Sequence, residues 1–477
     1  MELPVLLTPS IRMRLYSITK HFTCLAYMLL CEDGKANIDD RLGEYFPEFR
    51  PATRAVTIRQ LMTNTSGIRD AHGLCFQFSG TDWVAPSTKV LELYRTMDDV
   101  DAEPGSTWIY NSGGFVLLSH LIEQISGQSL ATFMHERIFE PAGLHDTLLR
   151  RTDMDFVRNS ATMHTKSADG QFVRSYVGGD RSGTGGIVST VDDMLRWLCH
   201  MDAPIVGTRE TWALMRTPQK LTNGFSTCYG FGLAIDTYRG IPTLYHSGNG
   251  MGANAHILKV PSVGLDVVVM ANRDDISSRE VTLRIVDACL PELAPIKPVD
   301  GPGLDGVYRS HRTGRVVRLY VKDGVQFAGG GGFIDRPFIP DDGGVLWPSP
   351  IASLPFKYAI RPIGQERPPK IIHLSDYGNV DELARINPDS DLDIAMIAGR
   401  YRSEATRVDA IIDEQGMRTS GHLGTVQYSL TGVAAGAWHA KASNHPAVFM
   451  NGTLSFNDSG FDFWSYCTRA LHFRRIV

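Results

Sequence analysis

Ser17 and Lys20 stand three residues apart at the head of an apolar run that includes Ala26, Tyr27, Met28, Leu29 and Leu30. On a helix, positions i and i+3 share one face, so the hydroxyl and the amine can meet. A serine hydroxyl attacks a carbonyl only when a base takes its proton, and a lysine amine can do so once burial or a nearby cation has lowered its pKa. A serine in the first helical turn also sits at the positive end of the helix dipole. Its own N–H lacks an intrahelical partner there and is free to face an oxyanion. None of the other ten lysines has a serine three residues before it. The spacing alone equally describes a helix start with a lysine on its exposed face, so other segments have to agree with it.

Three further segments carry chemistry. Leu61-Met62-Thr63-Asn64-Thr65-Ser66-Gly67-Ile68 follows a short helical pattern that opens at Thr57, and its polar centre has the composition of a turn. Pro104 to Phe115 puts Tyr110, Asn111 and Ser112 on a loop that enters an apolar helix running to Ser126. Tyr245-His246-Ser247-Gly248-Asn249-Gly250 precedes an apolar strand at Gly264 to Asn272. Singly, Tyr110 reads as a buried aromatic and His246 as a turn histidine. Their joint order after Ser17 makes an enzyme the better reading.

In that order the segments resemble the penicillin-recognising serine hydrolases, in their class C β-lactamase-like branch. Ser17-x-x-Lys20 matches the family's nucleophile motif. The Leu61–Ile68 stretch is similar to the family's Leu-Leu-Thr-His-Thr-Ser-Gly-Leu, with Asn64 in place of the histidine. Pro104-Gly105 and Tyr110-Asn111-Ser112 resemble its Pro-Gly and Tyr-x-Asn. His246-Ser247-Gly248 stands where the family carries Lys-Thr-Gly or His-x-Gly. The resemblance implies that Ser17 is the nucleophile, Lys20 its base and Tyr110 the proton relay, with His246 on the strand lining the site. It places the oxyanion hole at the N–H groups of Ser17 and Asn249, and substrate contacts at Asn111, Ser112, Gly248 and Asn249. The family's asparagine falls at Ser112, with an amide one position earlier at Asn111, and either residue remains open for that role. A histidine where β-lactamases keep a lysine supplies no permanent cation, since imidazole titrates near about 6.5. This suits amides and amine-terminated substrates better than penicillins.

Composition narrows the alternatives. The chain has 477 residues, 43% hydrophobic and 21% charged, and is long enough for about three domains. A net charge of −5 gives no reason to expect nucleic acid or an anionic membrane as partner. Seven scattered cysteines, odd in number, argue against a disulfide framework or a zinc site and favour a reducing compartment, so a cytoplasmic location is expected. Met1 to Leu15 lacks a signal-peptide pattern, and no run approaches the roughly 18 apolar residues of a membrane span. None of the fifteen histidines has metal-ligand spacing, and Gly329 to Gly332 lacks the lysine of a phosphate-binding loop and reads as a turn. No cofactor and no metal are expected. The expected partner is a small peptide or amide substrate, with no nucleic acid and no membrane; a homodimer is compatible with this reading.

The elements that must position these residues form an α+β catalytic domain over 1–297, in which helical stretches such as Val191 to Cys199 alternate with strands. The Pro291-to-Pro298 stretch cannot continue a helix. Beyond it, short alternating strands and glycine turns predict two β-rich domains, 304–393 and 394–477, of antiparallel barrel type. An internal echo supports two related units: Gly306-Val307-Tyr308-Arg309-Ser310 is matched by Gly399-Arg400-Tyr401-Arg402-Ser403. With Phe461 to Trp464 and Arg469 to Arg475, these segments extend the resemblance to the three-domain D-aminopeptidases of the same family. That implies release of amino-terminal D-residues from peptides, amides or esters through an acyl-enzyme. A short-chain carboxylesterase and a non-catalytic peptide-binding pseudoenzyme are the alternatives. It also implies a last-domain loop reaching the cleft, for which Trp438 to Val448 is the candidate. Sixteen residues precede Ser17 where the family has a helix and two strands. If this is the true start, a central sheet short of strands, with the domain compromised or completed by a partner, is expected; a misassigned start codon is the equal alternative.

Overall fold

A 3-10 turn, Tyr16–Ile18, runs into the helix Thr19–Glu32, and every residue from Thr19 to Leu30 is buried. A helix apolar on all sides belongs in the middle of a domain, and here the helix Ser112–Ser126 and the short Ser182–Gly185 turn pack against it. The computed structural model describes residues 6–79, 87–167, 169–176, 179–180, 182–293, 303–331, 333–349, 357–389, 391–443 and 450–476.

Beside this helical lobe lies an antiparallel sheet of four strands in sequential order, Ala234–Tyr238, Ile241–Gly250, Ala253–Val260 and Leu265–Ala271. The helices Val191–His200 and Ser278–Cys289 pack against its last strand. The pairing of the first two strands ends at Ala234 opposite Tyr245. Residues 246–250 therefore outrun that neighbour on one edge while pairing with Ala253–Ile257 on the other. Met13–Arg14 pairs with Ile187–Ser189 in a separate small sheet and sets the entry to the Ser17 turn.

Two closed antiparallel barrels of eight strands each follow, from Gly306–Arg309 to Asn379–Ile386 and from Gly399–Ser403 to Thr468–Ile476. The repeated Gly-x-Tyr-Arg-Ser opens each one, and its strand closes the barrel against the last strand. Tyr308 and Tyr401 are both buried in their barrel cores. Closure removes the exposed edges that a short, glycine-rich sheet would otherwise present.

Several expectations are adjusted. Gly329 and Gly330 end a strand, Val325–Gly330, instead of forming a turn; Gly331 turns the chain, and Gly332 lies outside the described residues. Trp438 sits in the barrel strand Ala437–Ala442 with 3% exposure, so it is wall and not loop. Residues 444–449, which include Asn444, His445 and Pro446, lie outside the described residues, as do 294–300 of the proline-rich stretch. No helix among the described residues is long and apolar enough to cross a membrane. All seven cysteines are free thiols.

Polar contacts, some of them buried, fasten the barrels to the first region and to each other. Arg69 pairs with Asp99 at 2.5 Å and Asp101 at 2.6 Å, and donates to Thr468 Oγ1 at 2.8 Å. Arg469 pairs with Asp376 at 2.8 Å, joining the second barrel to the first. Lys357 reaches Asp236 of the sheet at 2.8 Å. The most buried of these charges, Arg69 and Asp101, persist because each faces an opposite charge.

Candidate active site

Among residues 13–30 only Ser17 is not buried. Lys20 Nζ lies 3.1 Å from Ser17 Oγ and donates to the Thr184 carbonyl at 2.9 Å, with the lysine side chain 1% exposed. The Thr184 carbonyl is itself held in place: Thr23 donates to Gly183 O at 2.8 Å, and Gly183 N–H donates to Ser119 Oγ at 3.1 Å. Tyr16, just before Ser17, has φ 47°. That left-handed conformation is costly for a side chain with a Cβ. Its hydroxyl anchors the turn by donating to the Met251 carbonyl at 2.7 Å.

Tyr110 closes the other side. Lys20 Nζ stands 4.8 Å from the centroid of its ring. The tyrosine is half-buried with its hydroxyl shielded from solvent; burial pushes its pKa well up, and Ser17 pulls it partly back. The loop is fixed by Asn64, whose carbonyl accepts from Ile109 N–H at 2.9 Å and whose Oδ1 accepts from Asn111 N–H at 3.0 Å.

The two residues between which the sequence left a choice are now distinct. The Asn111 side chain caps the following helix by accepting from Gly114 N–H at 2.9 Å, and donates to the Ile68 carbonyl at 2.7 Å. Its amide is spent inside the protein and faces no cleft. Ser112, the first helical residue, is half-buried two positions after Tyr110.

His246 lies deeper than a substrate-contacting residue would. Its Nδ1 is 2.7 Å from the Ser247 carbonyl, its Nε2 is 3.0 Å from the Tyr229 hydroxyl, and the ring is 0% exposed. Desolvation, helped by the Lys20 charge, lowers its pKa to about 3, so the ring is neutral at physiological pH. Gly248 presses on the turn that carries Ser17: a Cβ there would lie 1.8 Å from the Leu15 carbonyl oxygen. Only glycine lets the strand approach this closely. Asn249 follows, exposed, on the part of the strand that outruns its neighbour. The structure thus gathers Ser17, Lys20 and Tyr110, brings the Gly248 edge against the turn before Ser17, buries His246, and ties the Asn111 amide to Gly114 and Ile68.

Sequence reasoning passed over four contributors. Asp70 is buried and accepts from Gly113 N–H at 2.7 Å. Burial raises its pKa, while backbone N–H groups of Gly73, Gly113 and Ser112 and the charge of Lys20 pull it down. An aspartate just before a helix start at Ala71 was the available signal. Thr184 supplies only a backbone carbonyl, which no side-chain pattern reveals. Tyr229 stacks edge-on against Trp108 at 5.4 Å. Tyr466, at the tip of the last barrel's final hairpin, is half-buried and close enough to Tyr110 to influence its charge. Among the described residues no group of three or more His, Cys, Asp and Glu side chains is arranged to hold a metal.

The chain is similar to several known proteins. The family model described as Beta-lactamase matches residues 4–289. A D-aminopeptidase of Brucella canis is 28% identical over 431 residues, which span 86% of this chain and 76% of that protein. The octameric penicillin-binding protein homologue from Pyrococcus abyssi superposes with a TM-score of 0.56 at 22% identity, over 79% of this chain and 89% of its own. The D-amino acid amidase from Ochrobactrum anthropi SV3 gives 0.51 at 20% identity, over 60% and 84%. At those identities the two structural likenesses speak for the fold.

Proposed function

From the premise that the chain belongs to the beta-lactamase family, we propose that it is a serine hydrolase that releases amino-terminal D-residues from small peptides or amides. The observation that carries the reading is the 3.1 Å approach of a buried Lys20 amine to the one accessible hydroxyl of the turn, Ser17. Ser17 attacks the carbonyl and Lys20 takes its proton. Tyr110, kept protonated by burial, passes a proton to the leaving amine. The N–H groups of Ser17 and Asn249 face the oxyanion, each such donor being worth about 2.7–4 kcal/mol in the barrier. Water then clears the acyl-enzyme.

Two features support an amide substrate over a penicillin. His246 is neutral where a β-lactamase keeps a cation, so the site has no fixed charge there for a substrate carboxylate. The similarity to a D-aminopeptidase spans the barrels as well as the first region, which favours D-residue release over a general esterase. A hydrolysis panel of D- and L-alanyl anilides beside short acyl esters tests this. Turnover of the D-anilide well above its L-isomer and above the esters is expected. Ester hydrolysis without stereochemical preference would replace the reading with a carboxylesterase.

A further inference from the structure

We infer that Tyr377, on a hairpin of the first barrel, is a positioning residue for the wall that holds Tyr110 and the His246–Tyr229 pair. The inference rests on the proposed roles of Ser17 and Tyr110. Asp376 pairs with Asn379, so the turn is the two residues Tyr377-Gly378, with φ 51° and 82°. Turns with both central residues left-handed take Asn-Gly by preference, and a tyrosine in the first position is strained. Strain of this kind persists where surrounding structure over-determines it. Here the surroundings belong to another domain: the Tyr377 side chain is 0% exposed and sits in the apolar cluster of Trp108, Tyr229 and Tyr245.

The hairpin is locked in that place. Asn223 Nδ2 donates to the Tyr377 carbonyl at 3.0 Å, and Asn379 Nδ2 donates to the Ser106 carbonyl at 2.8 Å. A Cβ on Gly378 would meet Phe225 at 3.0 Å and Asn223 at 3.1 Å, so the turn touches the catalytic region as closely as a backbone can. From the Tyr377 ring, centroid distances run 5.5 Å to Trp108, then 6.0 Å from Trp108 to Tyr110 and 5.4 Å from Trp108 to Tyr229. Tyr229 in turn holds His246 Nε2 at 3.0 Å. One ring from the barrel thus backs the tryptophan from which both the relay tyrosine and the histidine pair take their positions. Close-packed rings transmit the loss of a neighbour, and a displacement near 1 Å at reacting groups can cost about 100-fold in rate.

The test uses the full chain and four variants, Tyr377→Leu, Tyr377→Phe, Asn379→Ala and Lys357→Ala, with kinetics on a D-alanyl anilide, melting curves and labelling of Ser17 by a serine-directed phosphonate. Tyr377→Leu is expected to lower kcat about tenfold with KM within about twofold, and to slow labelling in parallel. Tyr377→Phe keeps the ring and should restore kcat to within about twofold. Lys357→Ala breaks the barrel's ion pair with Asp236 while keeping the Lys357 carbonyl that accepts from Tyr377 N–H at 3.2 Å, so it should lower the melting temperature and leave kcat unchanged. Should the leucine variant fail to fold, Asn379→Ala, which loosens the hairpin but keeps the ring, is expected to lower kcat about threefold. A folded Tyr377→Leu with wild-type kcat, or an Asn379→Ala with wild-type kcat where the leucine variant does not fold, overturns the inference. So does a Lys357→Ala that loses as much kcat as Tyr377→Leu, because simple docking of the barrel would then explain both. If the wild-type protein is neither labelled at Ser17 nor active on the anilide, the proposed function fails first and this inference falls with it.

Discussion

Asn64 holds the chain on both sides of Tyr110, through its carbonyl to Ile109 N–H at 2.9 Å and its Oδ1 to Asn111 N–H at 3.0 Å. The residue itself has φ 58°, a conformation that asparagine tolerates and alanine does not. Asn64→Ala therefore loses one buried bond and adds backbone strain, together about 2–4 kcal/mol. We expect a matching fall in urea-unfolding stability and at least a tenfold loss of kcat, since the relay tyrosine loses a restraint. A variant of wild-type kcat would show that Tyr110 is fixed by other contacts.

Asn111 has its amide tied to Gly114 and Ile68, whereas Ser112 is half-buried. Asn111→Ala removes a helix cap and leaves the Ile68 carbonyl without its donor, a cost of about 1–3 kcal/mol that a melting curve reads. Ser112→Asn places a donor and an acceptor where the shorter hydroxyl stands, and should raise turnover of D-alanyl amides about tenfold, equivalent to roughly 1.4 kcal/mol in the barrier. An Asn111→Ala protein that keeps full stability but loses activity would put its amide in the cleft after all.

Three buried histidines, His21, His246 and His256, have pKa values pushed down by burial, His246 to about 3. Unfolded, each binds a proton near pH 6.5, so between that value and its lowered folded pKa the unfolded state holds more protons. Stability from these groups is present above about pH 6.5 and is lost as pH falls, with a limiting slope of about 1.4 kcal/mol per pH unit for each group. Urea unfolding from pH 8 to pH 4 should show a plateau and then a decline beginning near 6.5. His256→Gln should flatten the decline. Stability that rises on acidification through this range would mean that these rings are charged in the folded protein.

The parts of this protein that were legible in its sequence are those in which local residue types do the work. Ser17 and Lys20 meet because a helical face brings i and i+3 together, and the two barrels follow from alternating strands, glycine turns and the repeated Gly-x-Tyr-Arg-Ser. The choice between Asn111 and Ser112 stayed open in the sequence because an amide beside Tyr110 looks like a ligand, and its capping bond to Gly114 N–H depends on where the helix begins. The depth of His246 depends on Tyr229 and the approach of the strand to Leu15, which are contacts between distant segments. Tyr377 was passed over for the same reason: its turn is readable as Asp-Tyr-Gly-Asn, but that the ring enters another domain is set by tertiary packing alone. The Trp438–Val448 segment had flanks of loop composition, yet Trp438 alternates inward in a barrel strand.

The central claim is that Lys20 activates Ser17, and mass spectrometry after exposure to a serine-directed phosphonate tests it most directly. The wild-type protein should gain a single adduct on the peptide containing Ser17, and Ser17→Ala should gain none. Lys20→Ala should label at least about 100-fold more slowly, and because base and nucleophile act as a unit, the double variant should hydrolyse substrate no more slowly than either single one. An adduct on Ser17→Ala, or labelling of Lys20→Ala at the wild-type rate, would contradict the account.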